Sequence, residues 1–309
     1  MSEKYIAFDT SNYTTSAAVA SEGSVLSNVR IPLKVEEGER GLRQSDAVFL
    51  HTVNLPTAAK EIGAITPAAV GCSDRPRDVE GSYMPCFLAG VASASALASA
   101  FGVDLYRFSH QSGHVAAALY SAGKLDWICE GEFLAFHVSG GTTEVLYVKN
   151  GKIDNLGGTL DISAGKLIDR TGVRLGLRFP CGAALEEMAK MASGLKFRDK
   201  VCVKGCDCNL SGVENKLMKM GKDGVPPEEQ AIYVQDFVLH TLIAMTENAL
   251  KLKPGLPILY AGGVMSNSYI SSSLGKKFDG YFAKREFSCD NAAGIALLTM
   301  LKAEGAYGG

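Results

Sequence analysis

The opening stretch of the chain recurs in outline later in the sequence, and this repeat restricts the fold more than any other feature. Residues 5–26 can be placed over residues 133–154 without a gap. Each copy consists of an apolar strand, a turn of small residues, a second β-rich strand and a glycine turn. The identical pairs at this constant offset are Ala7 and Ala135, Phe8 and Phe136, Ser11 and Ser139, Thr14 and Thr142, Thr15 and Thr143, and Gly23 and Gly151. A hairpin repeated in this way predicts two similar α/β lobes.

Length and composition are consistent with two lobes and exclude several classes of protein. The 309 residues lie at the upper limit for one hydrophobic core. A formal net charge of −2 argues against a histone-like nucleic-acid binder. The longest apolar stretch, residues 87–103, is mostly Ala, Ser and Gly and is too short for a membrane span, so we expect a buried helix there and no membrane. Eight scattered cysteines and the absence of a signal-peptide pattern predict reduced thiols in the cytoplasm.

The remaining elements can be assigned from periodicity and capping signals. Helices are predicted over residues 45–62 (with a kink or restart at Pro56), 84–101, 161–175, 183–191, 227–251 and 290–303, and strands over 103–108 and 257–260. Asp290 and Asn291 are expected to cap the last helix. We expect an N-terminal lobe over residues 1–128 and a C-terminal lobe over 129–290, with a closing helix, 291–309, packing back on the first lobe.

The two hairpin turns are candidate phosphate sites, because small residues leave backbone N–H groups and hydroxyls open to an anion. The first turn carries Asp9, Thr10, Ser11 and Asn12, and the second carries Ser139, Gly140, Gly141 and Thr142. Two such turns facing across a cleft resemble the nucleotide site of the actin, sugar-kinase and heat-shock chaperone superfamily. A pair of ordinary tight hairpins is the alternative. A P-loop is excluded, because Leu160 and Leu167 replace the required Gly and Ser or Thr around Gly165 and Lys166.

Two of the five histidines, His110 and His114, are candidate metal ligands. Their i, i+4 spacing places both imidazoles on one face of a helical turn, although such a pair is as often structural. Gln111 replaces the glutamate of the His-Glu-x-x-His motif, which excludes that class of peptidase. Asp290 is the best distant carboxylate for a facial triad, but the sequence alone does not bring it to the histidines. A second candidate, Cys202, Cys206 and Cys208, lacks the spacing of a zinc knuckle, so reduced thiols are favoured there.

Taken in their shared order, the motifs resemble one family over nearly the whole chain. It is the catalytic subunit of the tRNA threonylcarbamoyl-adenosine synthase, formerly called O-sialoglycoprotein endopeptidase, and this chain resembles a divergent bacterial paralogue. The matching stretches are residues 8–11, 109–114, 138–143, 158–161 with Gly165 and Asp169, 180–182, 209–212, 261–267 and 290–293.

The resemblance implies an acyltransferase that moves a threonylcarbamoyl group from threonylcarbamoyl-adenylate to the adenosine beside the tRNA anticodon. It implies one divalent metal ion, iron or zinc, held by His110, His114 and Asp290, and ATP or an acyl-adenylate. Expected partners are tRNA, a paralogous lobe-sharing protein and other synthase subunits. By resemblance the nucleotide phosphates bind His137, Val138, Ser139, Gly140 and Gly141, the ribose binds Asp169, the nucleoside binds Gly182 and Asn267, and further candidates are Asp9, Ser11, Thr142, Gly262, Gly263 and Glu186.

Four departures from the family pattern leave alternatives open. Ser112 replaces the acid of the His-x-Glu-Gly-His motif, residues 12–15 replace a Cys-Asp-Glu-Thr stretch, and residues 75–77 (Arg-Pro-Arg) replace a Gly-Pro-Gly loop. The stretch 41–46 is also unlike the family. An ATP- and metal-binding paralogue that regulates without catalysing is the first alternative. A small-molecule carbamoyl- or phosphotransferase is the second. We expect that the transferase activity is retained and depends on partner proteins. Ser112 is the residue whose role decides between these hypotheses.

Overall fold

The computed structural model describes residues 2–11, 13–34, 42–193, 197 and 199–308; Asn12 of the first predicted phosphate turn lies outside them. Contacts divide the chain into two compact units. The first comprises Met1–Gly131, Asn150–Ile153 and Glu286–Gly309, and the second comprises Glu132–Lys149 and Asp154–Arg285. The first unit is therefore built from segments that are distant in sequence.

Twelve strands are found in the described part of the chain. They are β1 Tyr5–Asp9, β2 Thr14–Ser21, β3 Ser24–Pro32, β4 Ala69–Arg75, β5 Asp104–Ser109, β6 Glu132–Val138, β7 Thr143–Lys149, β8 Lys152–Gly158, β9 Cys202–Lys204, β10 Asp207–Asn209, β11 Ile258–Ala261 and β12 Tyr281–Phe282.

Ten α-helices and two short 3-10 helices, Gly263–Ser266 and Arg285–Phe287, complete the described elements. The α-helices are α1 Gln44–Ile62, α2 Phe87–Phe101, α3 His110–Ser121, α4 Trp127–Glu130, α5 Ala164–Arg174, α6 Gly182–Ala189, α7 Gly212–Lys222, α8 Pro227–Leu252, α9 Ser268–Phe278 and α10 Ala293–Ala303. None of these helices combines the length and the apolar composition needed to cross a bilayer.

In the first unit a five-stranded sheet has the order β3-β2-β1-β4-β5. The β1–β2–β3 meander is antiparallel, whereas β4 and β5 run parallel to β1. Alternate residues of a strand point to opposite faces. Val70 and Cys72 accordingly pack in one core with α1 and α2, while Gly71 between them lies against Thr299 of α10. The sheet is thus covered by helices on both faces.

The second unit repeats this plan with a sheet of order β12-β11-β6-β7-β8. Its meander is β6–β7–β8, and β11 and β12 add parallel to β6, as β4 and β5 add to β1 in the first unit. Its core includes Phe136 and Tyr260 of the sheet, Leu185 of α6 and Phe237 of the long helix α8. The hairpin repeat in the sequence therefore corresponds to the opening hairpins of two similar sheets.

Three predicted helices begin three residues later than expected. One is α2, which begins at Phe87 and not at residue 84; in the other two a carboxylate has another role. The last helix begins at Ala293, whose N–H donates to Asn291 Oδ1 at 3.0 Å. Asp290 therefore does not cap this helix. The helix predicted from residue 161 begins at Ala164, because Ser163 caps it. Asp161 instead accepts from the backbone N–H groups of Leu210 and Ser211. Helix α1 passes Pro56 without a break.

Helices α3 and α10 meet backbone to backbone at two glycines. A Cβ atom on Gly294 would lie 1.8 Å from the carbonyl oxygen of Gly113, and a Cβ on Gly113 would lie 2.7 Å from Ile295 Cδ1. Only glycine allows so close an approach at position 294, because the atom opposite belongs to a backbone that cannot move aside. This contact places the start of α10 beside the first turn of α3.

We predict that Gly294→Ala lowers the free energy of unfolding by about 2–3 kcal/mol, because the added methyl group forces α3 and α10 apart. Urea unfolding followed by circular dichroism measures the change. Gly212→Ala is the matched control, since a Cβ there meets open space at the start of α7. Equal stability of the two variants would contradict the proposed close packing.

Candidate functional site

His110, His114 and Asp290 come together in the first unit. Asp290 Oδ1 lies 3.3 Å from His110 Nε2 and 3.2 Å from His114 Nε2, although 176 residues separate Asp290 from His114. One donor atom from each residue lies within 4.8 Å of the other two. Two imidazole nitrogens and one carboxylate oxygen converging on one point form the donor set of a facial triad.

Asp9, at the end of β1, is the direct neighbour of His110 in this cluster. Its Oδ2 lies 2.7 Å from His110 Nδ1, and its Oδ1 accepts from the Ser11 N–H at 2.8 Å. Asp9 is 1 % exposed. A carboxylate on the far nitrogen fixes the orientation and tautomer of a metal-binding imidazole. Ser11 Oγ also contacts His110 Nε2, at 3.4 Å, so both first-turn candidates serve this histidine.

The charges of the cluster depend on one another. Burial alone lowers the pKa of His110, but the carboxylates of Asp9 and Asp290 together outweigh burial and raise that pKa to about 10. Burial likewise works to raise the pKa of Asp290, yet hydrogen bonds from His110 and His114 hold it well below its usual range. A buried carboxylate, Asp9, and a partly buried one, Asp290, thus face two imidazoles, an arrangement that favours positive charge at its centre.

The second hairpin turn, in the other unit, is held by its own side chains. Ser139 Oγ accepts from the N–H groups of Gly141 and Thr142, at 3.3 and 3.1 Å. Ser163 Oγ donates to the Gly140 carbonyl at 2.5 Å, which joins the turn to the start of α5. Gly140 and Gly141 are exposed, and a Cβ on either would meet nothing within 4 Å. Hydrogen bonds with Ser139 and Ser163 therefore fix the turn, while the two glycines at its tip are open to solvent.

Two glycines near this turn are required by close packing. A Cβ on Gly165 would lie 2.6 Å from Gly140 N, and a Cβ on Gly262 would lie 2.2 Å from the Val138 carbonyl oxygen. Gly262 was a candidate for ligand contact, but the structure shows that its backbone lies against β6. Gly263, the next candidate, is exposed and begins a 3-10 helix.

Two predicted nucleotide-binding residues, Asp169 and Glu186, accept hydrogen bonds that join the helices α5, α6 and α9. Asp169 on α5 accepts from the Cys181 N–H at 2.8 Å, directly before Gly182 at the start of α6. Glu186 on α6 accepts from the Ser268 N–H at 2.9 Å, directly after Asn267. Burial raises the pKa of Asp169. The exposed Gly182 and the ends of α6 and α9 are thus fixed relative to α5.

Two other predicted residues have structural partners. Asn267 Oδ1 accepts from the Ile270 N–H at 2.9 Å and caps α9, which leaves the amide N–H₂ group to contact a ligand. His137 Nδ1 lies 3.7 Å from Glu144 Oε1 across the β6–β7 pair.

The cysteine cluster does not form a metal site among the described residues, where the only group of three or more candidate ligands is His110, His114 and Asp290. Cys206 and Cys208 are buried and Cys202 is exposed. Pairing in the β9–β10 hairpin places Cys208 opposite Val203 and Cys202 opposite Asn209.

Solved structures with the same fold define the class. Component A of (R)-2-hydroxyglutaryl-CoA dehydratase from Acidaminococcus fermentans matches with a TM-score of 0.56 and 14 % identity, over 98 % of this chain and 99 % of that chain. A ROK family protein from Streptococcus pneumoniae matches with a TM-score of 0.51 and 12 % identity, over 98 % of this chain and 100 % of the other. The chain has the α/β fold of the actin, sugar-kinase and heat-shock chaperone superfamily, with a two-histidine, one-carboxylate cluster.

Sequence comparison places the chain within this class. A family model described as tRNA N6-adenosine threonylcarbamoyltransferase (TsaD) matches residues 81–297. The protein of that name from Thermosipho africanus is 31 % identical over 310 residues, covering 94 % of this chain and 92 % of the relative. A probable bifunctional tRNA threonylcarbamoyladenosine biosynthesis protein from Thermoplasma volcanium is 28 % identical over 94 % of this chain and 54 % of the relative. The chain belongs to the TsaD family.

We predict that Asp9→Asn weakens Zn²⁺ binding roughly 10- to 100-fold, because the amide no longer orients His110 as the carboxylate does. Asp290→Asn should weaken it more, since a charged ligand is lost. Competition with a chromophoric chelator gives the dissociation constants. Asp104→Asn, an exposed carboxylate on β5 of the same unit, should bind like the parent. Parent-like binding by Asp9→Asn would show that Asp9 is not an orienting group.

Asn267 allows a test that separates capping from ligand binding. We predict that Asn267→Asp keeps the thermal stability of the parent, because the carboxylate still caps α9, but binds adenosine nucleotides roughly tenfold more weakly through loss of the amide donor. Asn267→Ala should lose both, with unfolding about 1 kcal/mol easier. Thermal unfolding and titration calorimetry measure the two effects. Full nucleotide affinity in the Asp variant would restrict Asn267 to a capping role.

Proposed function

We propose that this chain transfers a threonylcarbamoyl group from threonylcarbamoyl-adenylate to the exocyclic amine of the adenosine beside the tRNA anticodon. The observation that carries the proposal is the convergence of His110, His114 and Asp290 in a member of the TsaD family. The relatives are named as tRNA N6-adenosine threonylcarbamoyltransferases. Acyl transfer of this kind requires a group that withdraws electrons from the carbamoyl carbonyl and a site that holds the adenylate.

The residues of the cluster fit a divalent metal ion, and iron or zinc suits the imidazole and carboxylate donors. His110 Nε2, His114 Nε2 and Asp290 Oδ1 would hold it, with Asp9 orienting His110. Such an ion supplies a Lewis acid with open coordination positions. The low pKa of Asp290 keeps this ligand ionised, and its contacts with both histidines keep the three donors assembled.

The adenylate is assigned to the second unit. The open turn at Gly140 and Gly141 supports backbone binding of phosphate, because a side chain on either glycine would stand where the anion must approach. Asp169 uses one carboxylate oxygen for the Cys181 N–H and keeps the other for the ribose hydroxyls. Gly182 offers backbone without a side chain, and Asn267 offers its amide group to the nucleoside. Val138, Ser139 and Thr142 set the conformation of the turn.

The acceptor is tRNA, and we propose that further synthase subunits, among them a paralogous protein with the same lobe, act with this chain in the cytoplasm. The name of the Thermoplasma relative supports a division of labour, because this chain corresponds to about half of a protein described as bifunctional. The threonylcarbamoyl-adenylate would come from an enzyme that activates the acyl group with ATP.

The proposal is tested with purified chain, partner subunits, threonylcarbamoyl-adenylate and unmodified tRNA, followed by mass spectrometry of the nucleosides. We expect threonylcarbamoyl-adenosine with the parent and with the Asp104→Asn control. Gly140→Val should fold normally, because its Cβ meets open space, yet bind adenylate poorly and lose activity. Asp290→Ala should lose roughly 10²-fold or more in rate. A parent that binds metal and adenylate but never modifies tRNA would favour the non-catalytic paralogue.

A further inference from the structure

The loop that follows β4 is tied to the first turn of α3 through one carboxylate. Asp78 Oδ2 accepts hydrogen bonds from Ser109 Oγ and from Ser112 Oγ, both at 2.8 Å. Ser109 is the N-cap of α3, and its Oγ also accepts from the Ser112 N–H at 3.1 Å. Both serines are buried. The carboxylate therefore lies at the positive end of a 12-residue helix and binds the turn that carries His110.

The second oxygen of Asp78 is held from its own loop. Arg75 donates to Asp78 Oδ1 from Nη2 at 2.5 Å and from Nε at 3.0 Å, and its Nη1 pairs with Asp74 at 2.5 Å. The Gln111 N–H donates to the Pro76 carbonyl at 3.1 Å. The loop and the helix are thus joined by side chains and by backbone, with Asp78 at the centre.

Two departures from the family pattern meet at this carboxylate. Ser112 stands where the motif has an acid, and Arg75 begins the replaced Gly-Pro-Gly loop. In the structure Ser112 donates to Asp78, and Arg75 neutralises it. A longer acidic side chain at position 112 would put a second carboxylate against the first in a nearly closed space, because Ser112 is only 3 % exposed.

We propose that Asp78 is a positioning residue for the metal-binding helix and supplies, from the neighbouring loop, the carboxylate that the motif otherwise carries at position 112. The proposal rests on the proposed function for the role of the metal. Asp78 acts through Ser109 and Ser112, which fix the first turn of α3 and so the directions of His110 and His114.

If the acid of the motif were simply missing, Ser112→Glu would strengthen metal binding. We predict the opposite effect. Ser112→Glu alone should weaken Co²⁺ binding roughly tenfold and alter the visible absorption of the bound ion, because two carboxylates repel and distort the turn. Asp78→Asn should have a similar but smaller effect. The double variant Asp78→Ser with Ser112→Glu leaves one carboxylate and should recover to within about threefold of the parent.

The experiment titrates each purified variant with Co²⁺, recording dissociation constant and absorption spectrum, and checks folding by thermal unfolding. Asp74→Asn is the matched control, because Asp74 pairs with the same arginine and makes no hydrogen bond to α3 in the described structure. Parent-like Co²⁺ spectra and affinities in both Ser112→Glu and Asp78→Asn would overturn the inference. So would a double variant no better than Ser112→Glu.

These readouts distinguish the inference from the proposed function, because none of them uses tRNA. If the parent fails to modify tRNA while the Co²⁺ measurements show the expected recovery in the double variant, the function is wrong and the positioning role stands. If the parent modifies tRNA but the Asp78 and Ser112 variants keep the Co²⁺ affinity and spectrum of the parent, the positioning role is wrong and the function stands.

Discussion

The contact of Gly113 with Gly294 is the constraint on which the candidate metal centre depends. It lets the backbones of α3 and α10 touch, and the segment that enters α10 then delivers Asp290 to the two histidines. Each element alone carries an incomplete donor set. The helices cover one face of the first sheet, where Gly71 leaves room for Thr299 of α10. Small residues on three elements thus determine where the carboxylate lies.

Electrostatics distinguish this cluster from an ordinary buried histidine pair. His110 has a carboxylate on each ring nitrogen, Asp9 on Nδ1 and Asp290 on Nε2, and Asp290 is shared with His114. Placing two carboxylates against the buried His110 costs free energy unless positive charge compensates for it. The chain therefore keeps an arrangement that favours a bound cation, while the open second turn, Asp169 and Asn267 favour a nucleotide. Together with membership of the TsaD family, these features favour a transferase over a non-catalytic paralogue.

Sequence reasoning recovered what is local and missed what depends on packing. The hairpin repeat predicted the two sheets, because period-two alternation and glycine turns are encoded within a few residues. The spacing of His110 and His114 predicted a shared helical face. The position of Asp290 just before the last helix predicts a capping role that the structure does not show. Only the family resemblance links Asp290 to the two histidines. Asp9 and Asp78 gave no metal-related signal, since their partners lie 101 residues and 31 to 34 residues away, a separation that no periodicity reports.

The split composition of the first unit has a consequence for the order of events during synthesis. Domains begin to fold from the N-terminal side as the chain emerges from the ribosome. The histidines appear early, but the unit gains α10 and the aspartate before it only after the second unit has been translated. During synthesis the two imidazoles are therefore present well before the carboxylate that completes the three-residue donor set.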